Sequence, residues 1–237
     1  MKFSIAHISG NWNRVALDFQ KLFIARYPGD SIVHLHDPTV PAYCVDMEVA
    51  LESMIGMGKQ AKSMGVNVAA IACNTMHLHK ERFEQSTGLE MIHMIDRTKE
   101  KIRNDFKGKN ARVGIIGTLQ TMGSYLYDFK DDNITTVVPN TEERQYLQDT
   151  IINSLVMTSP HVNAELVSFL KAWGLREDLD ALVFGCTDFP TLFGERDGME
   201  ELFAKEFTFQ VYDPVEVLVD ACGEYLPMLP NVHARCK

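Results

Sequence analysis

Two cysteines in this 237-residue chain each close a short apolar run and are each followed by small polar residues. The first lies in Val68-Ala69-Ala70-Ile71-Ala72-Cys73-Asn74-Thr75-Met76-His77, the second in Leu182-Val183-Phe184-Gly185-Cys186-Thr187-Asp188. They stand about half the chain apart, in matched settings. Two thiols so arranged can act as one acid and one base on opposite faces of a single carbon, which is what inversion of a stereocentre requires when no cofactor takes part. A thiol has a reference pKa near ~8.5 that a site can lower, so both charge states are within reach.

The neighbours of the thiols have the chemistry to hold a substrate. Asn74, Thr75 and Thr187 follow the cysteines, and their amide, hydroxyl and backbone N–H groups suit a carboxylate at a helix start. A helix start also favours thiolate. Thr118 and Thr121, in Gly117-Thr118-Leu119-Gln120-Thr121-Met122, follow another apolar run and suit either carboxylate binding or capping of the next helix. His77 suits either orientation of a thiol or a structural hydrogen bond at a helix start. Asp188 suits either an acceptor for the thiol network or an N-cap. Cys44, Cys222 and Cys236 read as buried small hydrophobes or surface residues.

The bulk properties narrow the class. A net charge of −9 with 46% apolar residues describes a chain able to bury a core, with no basic stripe for nucleic acid or an anionic membrane. No run reaches the ~18–20 apolar residues of a membrane span, and the opening Met1–His7 reads as a strand. Five cysteines without a CxxC pair or zinc spacing point to reduced thiols, no metal and a cytoplasmic location. No GxGxxG, GxxxxGK[ST] or GxSxG motif occurs.

The elements that must carry these residues alternate between short apolar runs and longer helical patterns, the mark of a parallel sheet covered by helices. The expected strands are Lys2–Ile8, Ser31–Leu35, Val66–Ala72, Arg112–Ile116, Thr135–Val138, Ala181–Phe184 and Phe209–Val211. The expected helices are Arg14–Arg26, Asp46–Met64, Leu78–Glu84, Arg97–Phe106, Gly123–Phe129, Glu142–Leu155, Asn163–Trp173 and Val215–Tyr225. A weak internal repeat sets Phe3–Ile8 beside Arg112–Ile116, and Val66–Cys73 beside Ala181–Cys186. The chain therefore reads as α/β with two pseudo-symmetric lobes, 1–98 plus 212–237 and 99–211, joined across the hydrophilic Lys99–Asn110. Each delivers polar residues from the carboxyl ends of its strands, where parallel sheets bind ligands.

The sequence resembles the aspartate/glutamate racemase family over nearly its whole length. The resemblance rests on Cys73-Asn74-Thr75-Met76-His77 and Gly185-Cys186-Thr187-Asp188. It is supported by His93–Asp96, Val113–Thr118 with Thr121-Met122, Val138–Gln145 and Asp213-Pro214. It implies an active site between the lobes and racemisation independent of pyridoxal phosphate. Cys73 and Cys186 would be the acid/base pair, with Asn11, Asn74, Thr75, Thr118, Thr121 and Thr187 around an amino-acid substrate. It also implies a homodimer.

Departures bear on the substrate. Tyr43 follows Pro41-Ala42 where aspartate racemases usually carry an arginine for the side-chain carboxylate, and Val156–Ser159 occupies roughly the place of an expected lysine. Asp188 stands where aspartate racemases usually have Glu and glutamate racemases His. Arg14 is either a replacement cation or a solvated residue of the first helix. Three functions follow: a racemase of aspartate, glutamate or a relative; an isomerase or racemase of another small carboxylate or hydantoin; and a ligand-binding paralogue without catalysis.

Overall fold

The computed structural model describes residues 4–10, 13–43, 45–130, 133–154, 162–194 and 199–226. Asn11, Cys44, Cys236 and Val156–Ser159 lie outside the described residues. Two four-stranded parallel sheets form the framework. In the first, β1 (Ile5–Ser9), β2 (Val33–His36), β3 (Val68–Ala70) and β4 (Glu90–Met91) lie in the order β2-β1-β3-β4. In the second, β5 (Ala111–Gly117), β6 (Ile134–Val137), β7 (Ala181–Gly185) and β8 (Gln210–Tyr212) repeat that order as β6-β5-β7-β8. Every residue of β1, β3 and β7 is buried, as expected for strands covered on both faces.

The helices between them are α1 (Asn13–Arg26), α2 (Met47–Ser63), α3 (Lys80–Thr87), α4 (Met94–Asp105), α5 (Leu119–Gly123), α6 (Thr141–Ser154), α7 (Ala164–Arg176), α8 (Met199–Glu206) and α9 (Pro214–Cys222). Their ends carry local signals. The Asp46 carboxylate accepts the Val49 N–H to start α2, and the Asn163 side chain accepts the Leu166 N–H to start α7. Gly88, at φ +68°, ends α3 in the left-handed conformation that glycine adopts without strain. No helix among the described residues is long and apolar enough to cross a membrane.

Several elements differ from the sequence expectation, among them α8, for which no helix was expected. β4 is only two residues long, too short to leave a periodic pattern. The helix expected over Leu78–Glu84 is a 3-10 turn, Thr75–His79, running into α3. The helix expected over Gly123–Phe129 is absent. Thr118 caps α5 directly after Gly117, the last paired residue of β5, and Ser124 turns extended at ψ 171° to end it. Tyr127 and Phe129 are buried from an irregular segment, so their apolar spacing reflects the core they enter rather than a helix face.

The residues group into two compact units, Met1–Ala72 with His79–Met94 and Val215–Lys237, and Cys73–Leu78 with Ile95–Pro214. The segment Cys73–Leu78, read from sequence with the first lobe, groups with the second unit. The core of the second unit gathers Trp173, Leu170, Leu147 and a run of aromatic rings, Phe184, Phe193, Phe203, Phe207 and Phe209. α9 belongs to the first unit, where the Tyr27 hydroxyl donates to the Asp220 carbonyl and Arg26 pairs with the Asp220 carboxylate.

The first sheet carries a polar cluster that has no counterpart in the second. His7 and Ser9 on β1 pair with His34 and His36 on β2. The Nδ1 atoms of His7 and His34 share a hydrogen bond of 2.9 Å, and Ser9 Oγ and His36 Nδ1 lie 3.0 Å apart. The His7 ring is fully buried and stacks on Phe19 at 3.8 Å, and its Nε2 has no hydrogen-bond partner among the described residues. His7 pairs with Ala70, three residues before Cys73, while Ile115 pairs with Val183, three residues before Cys186. A buried histidine thus stands where the other half of the repeat has an isoleucine.

Burial, with His34 and His36 nearby, holds His7 well below the ordinary histidine range, and burial with His36 also lowers His34. The unfolded chain therefore binds protons that the folded chain refuses. Stability is complete above about pH 6.5 and falls below it, by up to about 1.4 kcal/mol per pH unit for each proton refused. Urea midpoints should drop between pH 7.5 and 5.0, and His7→Ile, which installs the residue of the other repeat, should flatten that dependence.

Candidate active site

The second unit brings together most of the residues singled out from the sequence. Thr118 and Thr121 follow β5, and Cys186, Thr187 and Asp188 follow β7, its neighbour in the sheet. Gly117 and Gly185, the last residues of these strands, pair directly. A Cβ on Gly185 would lie 2.7 Å from the Ile116 carbonyl oxygen and 2.9 Å from the Thr121 methyl. One on Gly117 would lie 2.8 Å from the Gly185 carbonyl. These glycines let the two strand ends and the threonine turn close on one another. Gly117 has this role rather than that of a phosphate loop.

The Cys73 segment reaches the same edge. β8 pairs with β7 only as far as Val183, and the next carbonyl, that of Phe184, accepts from Asn74 Nδ2 at 3.4 Å. The oxygen of the same amide accepts the Tyr127 hydroxyl at 2.5 Å. Cys73 and Cys186 are thus each one or two residues from an interaction that joins their segments. Cys73 is partly accessible and Cys186 buried.

Each thiol has its own polar neighbour. The Cys73 sulfur and Thr75 Oγ1 are 3.5 Å apart, and the Cys186 thiol donates to Asp188 Oδ2 at 3.6 Å. Asp188 begins the 3-10 turn Phe189–Leu192, but its side chain makes no capping bond there. The acceptor role therefore fits it better than the N-cap role. Thr118 does cap, its hydroxyl oxygen accepting the Thr121 N–H at 3.2 Å, with the two hydroxyls 3.1 Å apart. A hydroxyl has one donor and two acceptor sites, so capping leaves it able to bind a substrate oxygen as well. The His77 N–H donates to the Asn74 carbonyl at 3.2 Å and closes the turn after Cys73. Both cysteines precede 3-10 turns rather than the α-helix starts that the sequence suggested.

Two candidates lie in the first unit. Tyr43 is buried with its ring 5.7 Å from that of His79. Arg14, on α1, lies 3.9 Å from the buried Asp18 carboxylate one turn on, so its charge is compensated locally. Among the described residues no group of three or more His, Cys, Asp or Glu has the arrangement of a metal site.

Sequence reasoning missed Tyr127. It is fully buried, and burial together with the charge of Asp213 holds its hydroxyl well above the ordinary tyrosine range, so it stays a donor. A signal was present: Thr118, Thr121, Ser124 and Tyr127 recur every third residue. The Ser124 hydroxyl donates to the Thr121 carbonyl, which extends the polar run from the strand end towards Tyr127.

Comparison with known proteins follows this geometry. The family model described as Asp/Glu/Hydantoin racemase matches residues 26–222. The broad specificity amino-acid racemase RacX of Bacillus subtilis (strain 168) is 26% identical over 112 residues, 46% of this chain and 48% of that protein. The match thus spans about half the length of that relative. An aspartate racemase homologue from Pyrococcus horikoshii OT3 superposes with a TM-score of 0.68 at 20% identity, over 94% of this chain and 98% of that one. Glutamate racemase from Francisella tularensis, in complex with D-glutamate, gives 0.67 at 18%, over 94% and 80%. At such identities the two structures show a shared fold.

Proposed function

The chain belongs to the Asp/Glu/Hydantoin racemase family, and from that premise we propose that it interconverts the enantiomers of an amino acid by proton transfer between two thiols at Cα, without a cofactor. One observation carries the reading. The Cys73 segment groups with the unit that bears Cys186, and Asn74 hydrogen-bonds the strand that leads into that second cysteine.

In this reading each sulfur has its own polar partner: the Cys186 thiol donates to the Asp188 carboxylate, and the Cys73 sulfur lies beside the Thr75 hydroxyl. Removal of the α-proton by one sulfur and delivery from the other inverts the centre and exchanges their roles. Asn74, Thr75, Thr118, Thr121 and Thr187 supply the donors for the substrate carboxylate.

A second reading keeps this chemistry and changes the substrate. Tyr43 is neutral, its ring tilted against that of His79, and Arg14 is compensated by Asp18, so neither offers an uncompensated cation for a second carboxylate. An unpaired carboxylate buried in a site costs several kcal/mol, which favours an amino acid with an uncharged side chain or a hydantoin.

Deuterium uptake at Cα in heavy water, measured with D- and L-amino acids, dicarboxylates and hydantoins and no added pyridoxal phosphate, tests both. Exchange with inversion of aspartate or glutamate supports the acidic substrate. Inversion confined to neutral amino acids or hydantoins supports the second reading, and no exchange with any compound rejects the function.

A further inference from the structure

We infer that Tyr127 is a positioning residue that sets Cys73 against Cys186 by locking the amide of Asn74. The inference rests on the two-thiol reading above and adds a residue to it. The amide orientation follows from hydrogen-bond chemistry alone. The Phe184 carbonyl can only accept, so the group facing it at 3.4 Å must be the Asn74 NH₂. The Asn74 oxygen then faces Tyr127, whose hydroxyl must donate. A flipped amide would set oxygen against oxygen at Phe184. Tyr127 is itself held, since its carbonyl accepts the Thr136 hydroxyl at 2.7 Å from β6.

The consequence falls on both cysteines. Asn74 adjoins Cys73, and Phe184 lies two residues before Cys186. Two-base inversion needs both sulfurs in line with one carbon, whereas proton exchange without inversion needs only one. The lock also uses one amide hydrogen and one lone pair of Asn74, which leaves a single N–H for a substrate carboxylate. Loosening the lock should therefore uncouple inversion from exchange, an effect that a general loss of stability would not produce.

The test compares Tyr127→Phe with Thr136→Val, which removes a hydrogen bond to the same residue without touching the amide. With a substrate turned over by the wild type, Tyr127→Phe should lower inversion about 10²-fold, the scale of a 1 Å misplacement, while one enantiomer still exchanges its α-proton near the wild-type rate. Thr136→Val should leave the ratio of exchange to inversion unchanged. Equal losses of inversion and exchange in Tyr127→Phe, or an unchanged rate, would overturn the inference while the racemase reading stands. Alkylation by iodoacetamide, followed by mass spectrometry, needs no turnover. Tyr127→Phe should raise the rate at Cys73 several-fold, and an unaltered rate counts against the lock even if the wild type proves inert on every substrate.

Discussion

Serine at either Cys73 or Cys186 should abolish racemisation while the protein stays folded. An alcohol is a far weaker acid than a thiol, so the substituted side can neither take nor deliver the α-proton. A placed acid or base contributes about 10²–10⁴-fold, and inversion should fall by that much or more in each variant. The two losses should not be alike. Cys186→Ser retains the sulfur beside Thr75 and should still exchange the enantiomer whose α-hydrogen faces Cys73. Cys73→Ser retains the sulfur beside Asp188 and should exchange the opposite enantiomer. Chiral chromatography with mass spectrometry in heavy water reads both quantities. Full inversion by either variant would exclude the two-base mechanism.

Gly185→Ala should be the most damaging single methyl that can be added near the site. Its Cβ would meet backbone on the neighbouring strand at 2.7 Å, and the Ile116 carbonyl cannot rotate aside as a side chain would. Forced repacking of this kind costs about 1–3 kcal/mol, which for a chain of this size lowers Tm by about 2–4 °C per kcal/mol. Relief must come from separating β5 and β7 where Thr118 and Cys186 begin, so kcat/KM should fall about 10²-fold as well. Gly56→Ala is the contrast. It sits in the middle of α2 with nothing within 4 Å of the added carbon, and should be neutral or stabilising by about 0.5–1 kcal/mol. Thermal melts and steady-state kinetics of the two alanine variants separate a general intolerance of glycine replacement from this particular clash.

The large features of the fold were legible because they are written in strong local signals. Unbroken apolar runs such as Ala181–Phe184 mark strands buried on both faces, and Asp46 and Asn163 announce the helices they cap. The candidate site stood out in the sequence where residue type and strand-end position coincide, at Cys73, Thr118 and Cys186. What escaped depends on tertiary contacts. Apolar spacing over Gly123–Phe129 imitates a helix because Tyr127 and Phe129 enter a core, and only the fold shows that the Tyr127 hydroxyl meets the amide of Asn74, 53 residues away in sequence. The assignment of Cys73–Leu78 to the second unit was likewise invisible, since that segment follows directly on a strand of the first. His7 escaped for a different reason. It sits in an apolar strand pattern that its ring satisfies sterically, and only the cross-strand partner His34 shows it to be polar chemistry in the core.

The return of α9 to the first unit gives synthesis on the ribosome a particular order. Val215, Leu218, Val219 and Cys222 are fully buried, and Tyr27 and Arg26 on α1 hold the backbone and carboxylate of Asp220. Every segment of the second unit has been translated by Pro214. The half of the protein that leaves the exit tunnel first is therefore the last to complete, and Arg26 and Tyr27 must wait for their partners until the closing helix emerges.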